Sequence, residues 1–300
     1  PQAGSWQNSD FLLSYDANDN VATDTCKLYT KSQNDANWID RRTIECGNNK
    51  QVAITVGSNG YCHDEGSDAC SVKIWANDTS GNENYDTRTF SIDWTAPTTS
   101  ISCNGASCSS DWYTTQVMVE LSCSDSGGSG CSVTYYCVDT SNTCAPSTEY
   151  TSSFTLSDGN WYVRYYSTDV AGNSEVVKSQ NVKVDTTEPS VNIEHYPETP
   201  SDEETVTFSA SASDTVSGID RIEIYVDGSR VKTCYASSCS YTGGPYSAGT
   251  HSYEAIAYDR AGNYNTSGVK YFEVTGANTP PHVEPVSYDC LLYTSPSPRD

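Results

Sequence analysis

The sequence predicts an all-β chain of tandem antiparallel β-sandwich domains. Three observations predict it: a polar motif that returns at spacings of 169 − 78 = 91 and 259 − 169 = 90 residues, apolar residues that alternate with period two, and a shortage of helix formers. Leu, Ile and Met are scarce while Ser, Thr, Asn, Asp and Tyr are abundant, which suits short strands joined by many turns. At 300 residues the chain is too long for one sandwich and suits two to three domains.

The motif reads Asp78-Thr-Ser-Gly81-Asn82, Asp169-Val-Ala-Gly172-Asn173 and Asp259-Arg-Ala-Gly262-Asn263. Gly and Asn tolerate positive φ, and the Asp carboxylate can accept backbone N–H groups further along, so the motif is read as a turn. A second string, Ile92-Asp93-Trp-Thr-Ala-Pro97, returns as Val184-Asp185-Thr-Thr-Glu-Pro189, at 185 − 93 = 92. A third, Asp125-Ser-Gly-Gly-Ser-Gly130 against Asp214-Thr-Val-Ser-Gly218, lies 214 − 125 = 89 apart. A shared interval of this size exceeds a solenoid repeat and matches a whole sandwich. Proline cannot continue a strand ladder, so the Asp-x-Thr-x-Pro strings set the boundaries. The expected domains are 1–95 (truncated at its N-terminus and carrying an insertion between Gln33 and Cys70), 96–187 and 188–276. Residues 277–289 are read as the opening of a fourth. Residues 290–300 read as the translation of a sequencing adapter and are set aside.

Within the repeats Val117, Val119, Leu121 and Cys123 alternate with polar neighbours, as do Val206, Phe208, Ala210 and Ala212. Ile222, Ile224 and Val226 lead into Asp227-Gly228, a two-residue hairpin signal. Trp75 and Trp161, in the strands that precede the turn motif, are assigned to the core.

Without residues 290–300 the cysteines number twelve and fall evenly among the domains: Cys26, Cys46, Cys62 and Cys70; Cys103, Cys108, Cys123, Cys131, Cys137 and Cys144; Cys234 and Cys239. Even counts fit intradomain disulfides and an extracellular compartment. Short separations favour the pairs 103–108, 123–131, 137–144, 234–239, 26–46 and 62–70. Zinc is disfavoured because the spacings are irregular and His63, His195, His251 and His282 sit in no ligand pattern.

The second and third repeats, on the motif at Asp169–Asn173 and Asp259–Asn263 and the closing Val184-Asp185-Thr-Thr-Glu-Pro189, resemble the immunoglobulin-like repeats of bacterial and archaeal surface proteins, above all the leptospiral outer-membrane type. The first repeat departs from the pattern with Ser80 where the others have Ala. The resemblance implies sandwiches used for display, adhesion or spacing on a cell surface, and it brings no catalytic residues.

The formal charge of −23 leaves no basic patch for a nucleic acid and would repel an anionic membrane. No apolar run is long enough to span a bilayer. No Gly-x-Ser-x-Gly elbow or phosphate-binding loop occurs, so an enzyme is not expected. Calcium is the cofactor candidate, at Asp16, Asn18 and Asp19, whose hard oxygens suit it; the competing reading is a polar turn. The loops at Asp64–Asp68 and Asp202–Glu204 are read as solvated. Asn77 and Asn265 are candidate glycan acceptors. The expected function is a non-catalytic extracellular stalk or adhesion module with a surface protein or polysaccharide as partner. The alternatives are an accessory, polysaccharide-binding region of a secreted hydrolase and a calcium-stiffened adhesin.

Overall fold

The computed structural model describes residues 1–2, 4–19 and 22–276; the expected fourth repeat and the adapter segment with Cys290 lie outside them. Among the described residues every regular element is a β-strand, and the strands pair antiparallel except where two short ones run along the last strand of their sandwich; the isolated bridges Val56–Cys62 and Ser201–Thr275 are also parallel. The chain divides into two compact units. One comprises Pro1–Glu188 with the loops Asp214–Gly218 and Asp259–Asn263; the other comprises Pro189–Ser213, Ile219–Tyr258 and, of the described residues, 264–276.

The first unit holds two sandwiches. In the first, β1 (Trp6–Gln7), β7 (Glu83–Ile92), β6 (Gly66–Asp78), β3 (Thr23–Ser32) and β4 (Ile39–Ile44) form a five-stranded sheet in that order. Facing it, among the described residues, are two strands, β2 (Phe11–Ala17) and β5 (Gly47–Ile54). Phe11, Leu13, Leu28, Ile54, Val72, Phe90 and Ile92 fill the space between, one face of each strand turned inward.

The second sandwich pairs a three-stranded sheet, β13 (Phe154–Leu156), β10 (Val117–Ser124) and β8 (Thr98–Cys103), with a five-stranded one. The latter runs β12 (Thr148–Glu149), β11 (Cys131–Asp139), β14 (Gly159–Asp169), β15 (Lys178–Val184) and β9 (Trp112–Tyr113). Val117, Val119, Val163, Val182 and Val184 are its buried centre.

The second unit has the same plan. β16 (Ser190–Tyr196), β17 (Val206–Ser213) and β20 (Ser238–Gly243) form one sheet. β19 (Ser229–Cys234), β18 (Ile219–Val226), β21 (Gly249–Asp259), β22 (Tyr264–Thr266) and β23 (Lys270–Val274) form the other. Phe208, Ile193, Ile222 and Ile224 are fully buried in its core. Asp227 and Gly228 both take positive φ between β18 and β19, the conformation a two-residue hairpin needs.

Six disulfides join Cys26–Cys46, Cys62–Cys70, Cys103–Cys108, Cys123–Cys131, Cys137–Cys144 and Cys234–Cys239. Each closes a loop inside one sandwich, which limits the unfolded chain where the aliphatic core is small. Trp161 packs against the second core. Trp75 does not belong to the first: it lies on the face of β6 opposite Val72 and Ile74 and donates to Glu83. The reason is parity. Trp161 stands eight residues before its motif Asp (169 − 161 = 8) and Trp75 only three (78 − 75 = 3), so alternation sends them to opposite faces.

Candidate metal centre

The turn motif is built the same way three times. The Oδ1 of Asp78, Asp169 and Asp259 accepts the backbone N–H of Asn82, Asn173 and Asn263 at 2.8, 2.8 and 2.9 Å. Oδ2 accepts the Asn side-chain amide at 2.7, 2.8 and 2.8 Å. Gly81, Gly172 and Gly262 all sit at positive φ, where a side chain would strain the turn.

Two of the copies are wired further. The Asn173 amide also donates to the main-chain oxygen of Asp93, and the Asn263 amide to that of Asp185, both at 2.9 Å. Those aspartates sit in the Asp-x-Thr-x-Pro strings. Asp93 and Asp185 each turn one carboxylate oxygen to the N–H two residues on, Thr95 and Thr187. Each gives the other oxygen to a glycine-bearing loop, at Ser129 N–H (2.7 Å) and Ser217 N–H (3.0 Å). The first loop approaches so closely that a Cβ on Gly128 would run into the Asp93 carboxylate. The loops are held in turn by Asp125, which accepts from Gly130 N–H, and by Asp214, which accepts from Gly218 N–H, both at 2.7 Å.

These bonds bring three carboxylates together twice. Oxygens of Asp93, Asp125 and Asp169 lie within 4.8 Å of one another, and so do those of Asp185, Asp214 and Asp259; all six residues belong to the first unit. Asp93 and Asp185 are fully buried, and Asp169 and Asp259 nearly so. No Lys or Arg pairs with any of the six among the described residues. Asp125 Oδ1 is buried without a hydrogen-bond partner. Burial, then the charges of Asp93, Asp169 and Glu65, push the Asp125 carboxyl above the usual range. Carboxylates this close repel by about 3 kcal/mol per pair at an effective dielectric near 20. Clustered hard oxygens of this kind are what a divalent cation such as calcium takes as ligands.

Acidic side chains also hold the linkers. Glu65 accepts from Trp94 N–H and the Thr95 hydroxyl. Asp158 does the same for Thr186 N–H and the hydroxyls of Thr186 and Thr187. Glu65 comes from a loop that reads as solvated in sequence.

The residues picked out for calcium in the sequence occupy the first sandwich. Asp16 accepts from Asn49 N–H at 2.6 Å, Asn18 bonds Asn48, and Asp19 lies two residues past β2, whereas Asp125 and Asp214 directly follow β10 and β17. Asn77 accepts from Thr25 N–H and Asn265 from Thr266 N–H; both are partly exposed.

Residues 189–255 match a family model described as a bacterial Ig domain. A search of curated proteins finds no match. Among solved structures, a 1.5-MDa bacterial ice-binding adhesin is similar at 15% identity and a TM-score of 0.36, over 90% of this chain and 91% of that one. The fibronectin(III)-like modules of Clostridium thermocellum CbhA give 15% and 0.32, over 62% and 99%. The D00-D0 domain of intimin gives 9% and 0.30, over 57% and 98%. The bacterial Ig match falls on the third sandwich, and the sheet plan of the second is the same.

Proposed function

We propose that this chain is a non-catalytic stalk or adhesion segment of an extracellular or cell-surface protein. The observation that carries the reading is the repeated junction. A linker Asp, a glycine loop and the Asp-x-x-Gly-Asn turn recur with the same bonds at 185 − 93 = 92 residues. A side chain spent on fixing linkers serves reach and orientation, and the six disulfides fit an oxidising compartment outside the cell. Among the described residues no helix is long and apolar enough to cross a membrane. The partner is a surface protein or a polysaccharide. The test is force–extension of the chain held at its two ends. Discrete unfolding of sandwich-sized segments at high force is expected. Sandwiches that give way at low force, together with saturable binding of a polysaccharide, would move the chain to an accessory module of a secreted hydrolase.

The aspartate triads favour a second reading, in which calcium bound at the junctions stiffens the stalk. Asp93, Asp125 and Asp169 would hold one ion and Asp185, Asp214 and Asp259 the other. Isothermal titration with calcium chloride should show two sites. Asp125→Asn and Asp214→Asn should each remove one; a flat titration of the parent chain sinks this reading.

A further inference from the structure

In the first sandwich the outer face of the five-stranded sheet, turned away from the core, carries rings and lysines. Along β3, Cys26, Leu28, Thr30 and Ser32 are buried, so Lys27, Tyr29 and Lys31 point to the opposite side. Register sets Tyr29 against Lys73 of β6, and Trp75 of β6 between Lys27 of β3 and Tyr85 of β7. Trp38, just ahead of β4, joins them. Lys73 Nζ lies 4.5 Å from the ring centre of Tyr29, 4.8 Å from that of Trp38 and 5.5 Å from that of Tyr85. None of these four aromatic side chains packs against the first core. Tyr85 is 65% exposed, and Tyr29, Trp38 and Trp75 are part-exposed.

The charge of this face runs against that of the chain. Acidic residues outnumber basic ones by 39 to 16, yet no carboxylate pairs with Lys31 or Lys73 among the described residues. The acids beside them are already engaged: Asp40 pairs with Lys27 at 3.1 Å, and Glu83 accepts from the Trp75 indole at 3.3 Å. The outer face of the third sandwich is a contrast. There the rings of Tyr258 and Tyr264 lie 5.6 Å apart and Arg221 stacks 3.7 Å over Tyr258. That cation is neutralised by Asp220 at 2.9 Å and Glu223 at 3.2 Å.

We infer that the outer face of the first sandwich binds an acidic polysaccharide of the uronic-acid class. Aromatic rings offer flat apolar surface to the C–H faces of sugars. The ammonium groups of Lys31 and Lys73 offer charge-assisted hydrogen bonds to carboxylates carried by those sugars. Trp38, Tyr29, Trp75 and Tyr85 follow the sheet order from β4 through β3 and β6 to β7, so the polymer lies across the strands. Three strand spacings give a track of about 14 Å. Lysines are sparse along it, which suits one carboxylate per sugar. A densely sulfated polymer would meet the repulsion of a chain with net charge −23. The inference takes from the proposed function only the class of partner.

The test titrates polygalacturonate oligomers into the full chain at low salt and reads the indole N–H signals of Trp38 and Trp75 by NMR. Both should shift saturably, and added salt should weaken the binding. Neutral dextran should leave both signals in place. Lys31→Gln combined with Lys73→Gln should weaken binding by about tenfold, and Lys50→Gln, on β5, should leave it unchanged. Tyr85→Ser removes an exposed ring and should also weaken binding, with the melting temperature showing that the fold is kept. Four results overturn the inference: no shift with polygalacturonate, an equal shift with dextran, tighter binding of dextran sulfate, or equal losses in the Lys50 variant and the double variant. Unfolding at high force together with a silent titration would keep the stalk and remove this site, so the two readings fail separately.

Discussion

The turn at Asp78 and the turn at Asp169 have the same inner hydrogen bonds and opposite surroundings. Asp78 and Asn82 bond one another at the surface, while Asp169 is nearly buried and its Asn173 reaches on to Asp93. The difference lies outside the motif. Asp93 comes from the linker that precedes the second sandwich, and the first sandwich shows no such residue against Asp78 among the described positions. A short polar motif therefore specifies its own turn, but the junction it supports needs the chain ahead of it.

The largest test of that contrast is calcium. Binding to the native state stabilises by RT ln(1 + [L]/Kd), about 2.7 kcal/mol at a hundredfold excess over Kd. The parent chain should melt higher in calcium than in a chelator, and Asp125→Asn should lose much of the shift. Asp78→Asn should keep all of it. Equal loss in the two variants would erase the distinction between the turns. Next in size is the amide that ties turn to linker. Asn173→Ala strands the main-chain oxygen of Asp93 and should cost about 1–3 kcal/mol in urea unfolding. Asn82→Ala, at an exposed turn, should stay within about 0.5 kcal/mol. Similar costs at both positions would mean that the bond to Asp93 adds nothing.

The sandwiches and their turns were legible because their signals are local. Alternation marks strands such as β10 and β18, and Asp227-Gly228 marks a hairpin, within windows of a few residues. The triads were not legible. Asp93, Asp125 and Asp169 span 169 − 93 = 76 residues and meet only after two sandwiches have formed. Each also reads by itself as ordinary turn chemistry. Glu65 and Asp158 escaped for the same reason, since a carboxylate that anchors a linker looks like any solvated acid until its partners are placed. The Asp16–Asp19 string drew attention because its ligands are contiguous, yet the structure gathers carboxylates from separate loops. For Trp75 a parity count from Asp78 would have sufficed, so that signal was present in the sequence.

The smallest predicted effect concerns how the second sandwich holds β8, for which the first shows no counterpart among the described residues. Glu175 accepts from Thr99 N–H at 3.1 Å, from the Thr99 hydroxyl and from Ser167 N–H at 2.9 Å, and it pairs with Lys178 at 2.7 Å. It thus fastens β8 to β14. Burial pushes its pKa up, but the bonds from Lys178, Thr99 and Ser167 outweigh burial and hold it below the usual carboxylate range. A lowered carboxyl stabilises the fold above its unfolded pKa, near 4.3, and that contribution is lost as pH falls through the folded value. Other acids also lose partners in that range, so the quantity to read is the difference between the parent chain and Glu175→Gln. The variant should be less stable by about 1 kcal/mol at pH 7, and the two stability curves should converge as pH drops below about 4. Hydrogen exchange should place the loss at the β8 edge and leave β2 unaffected. Curves that stay parallel down to acid pH would show that Glu175 fills space beside β8 without fastening it.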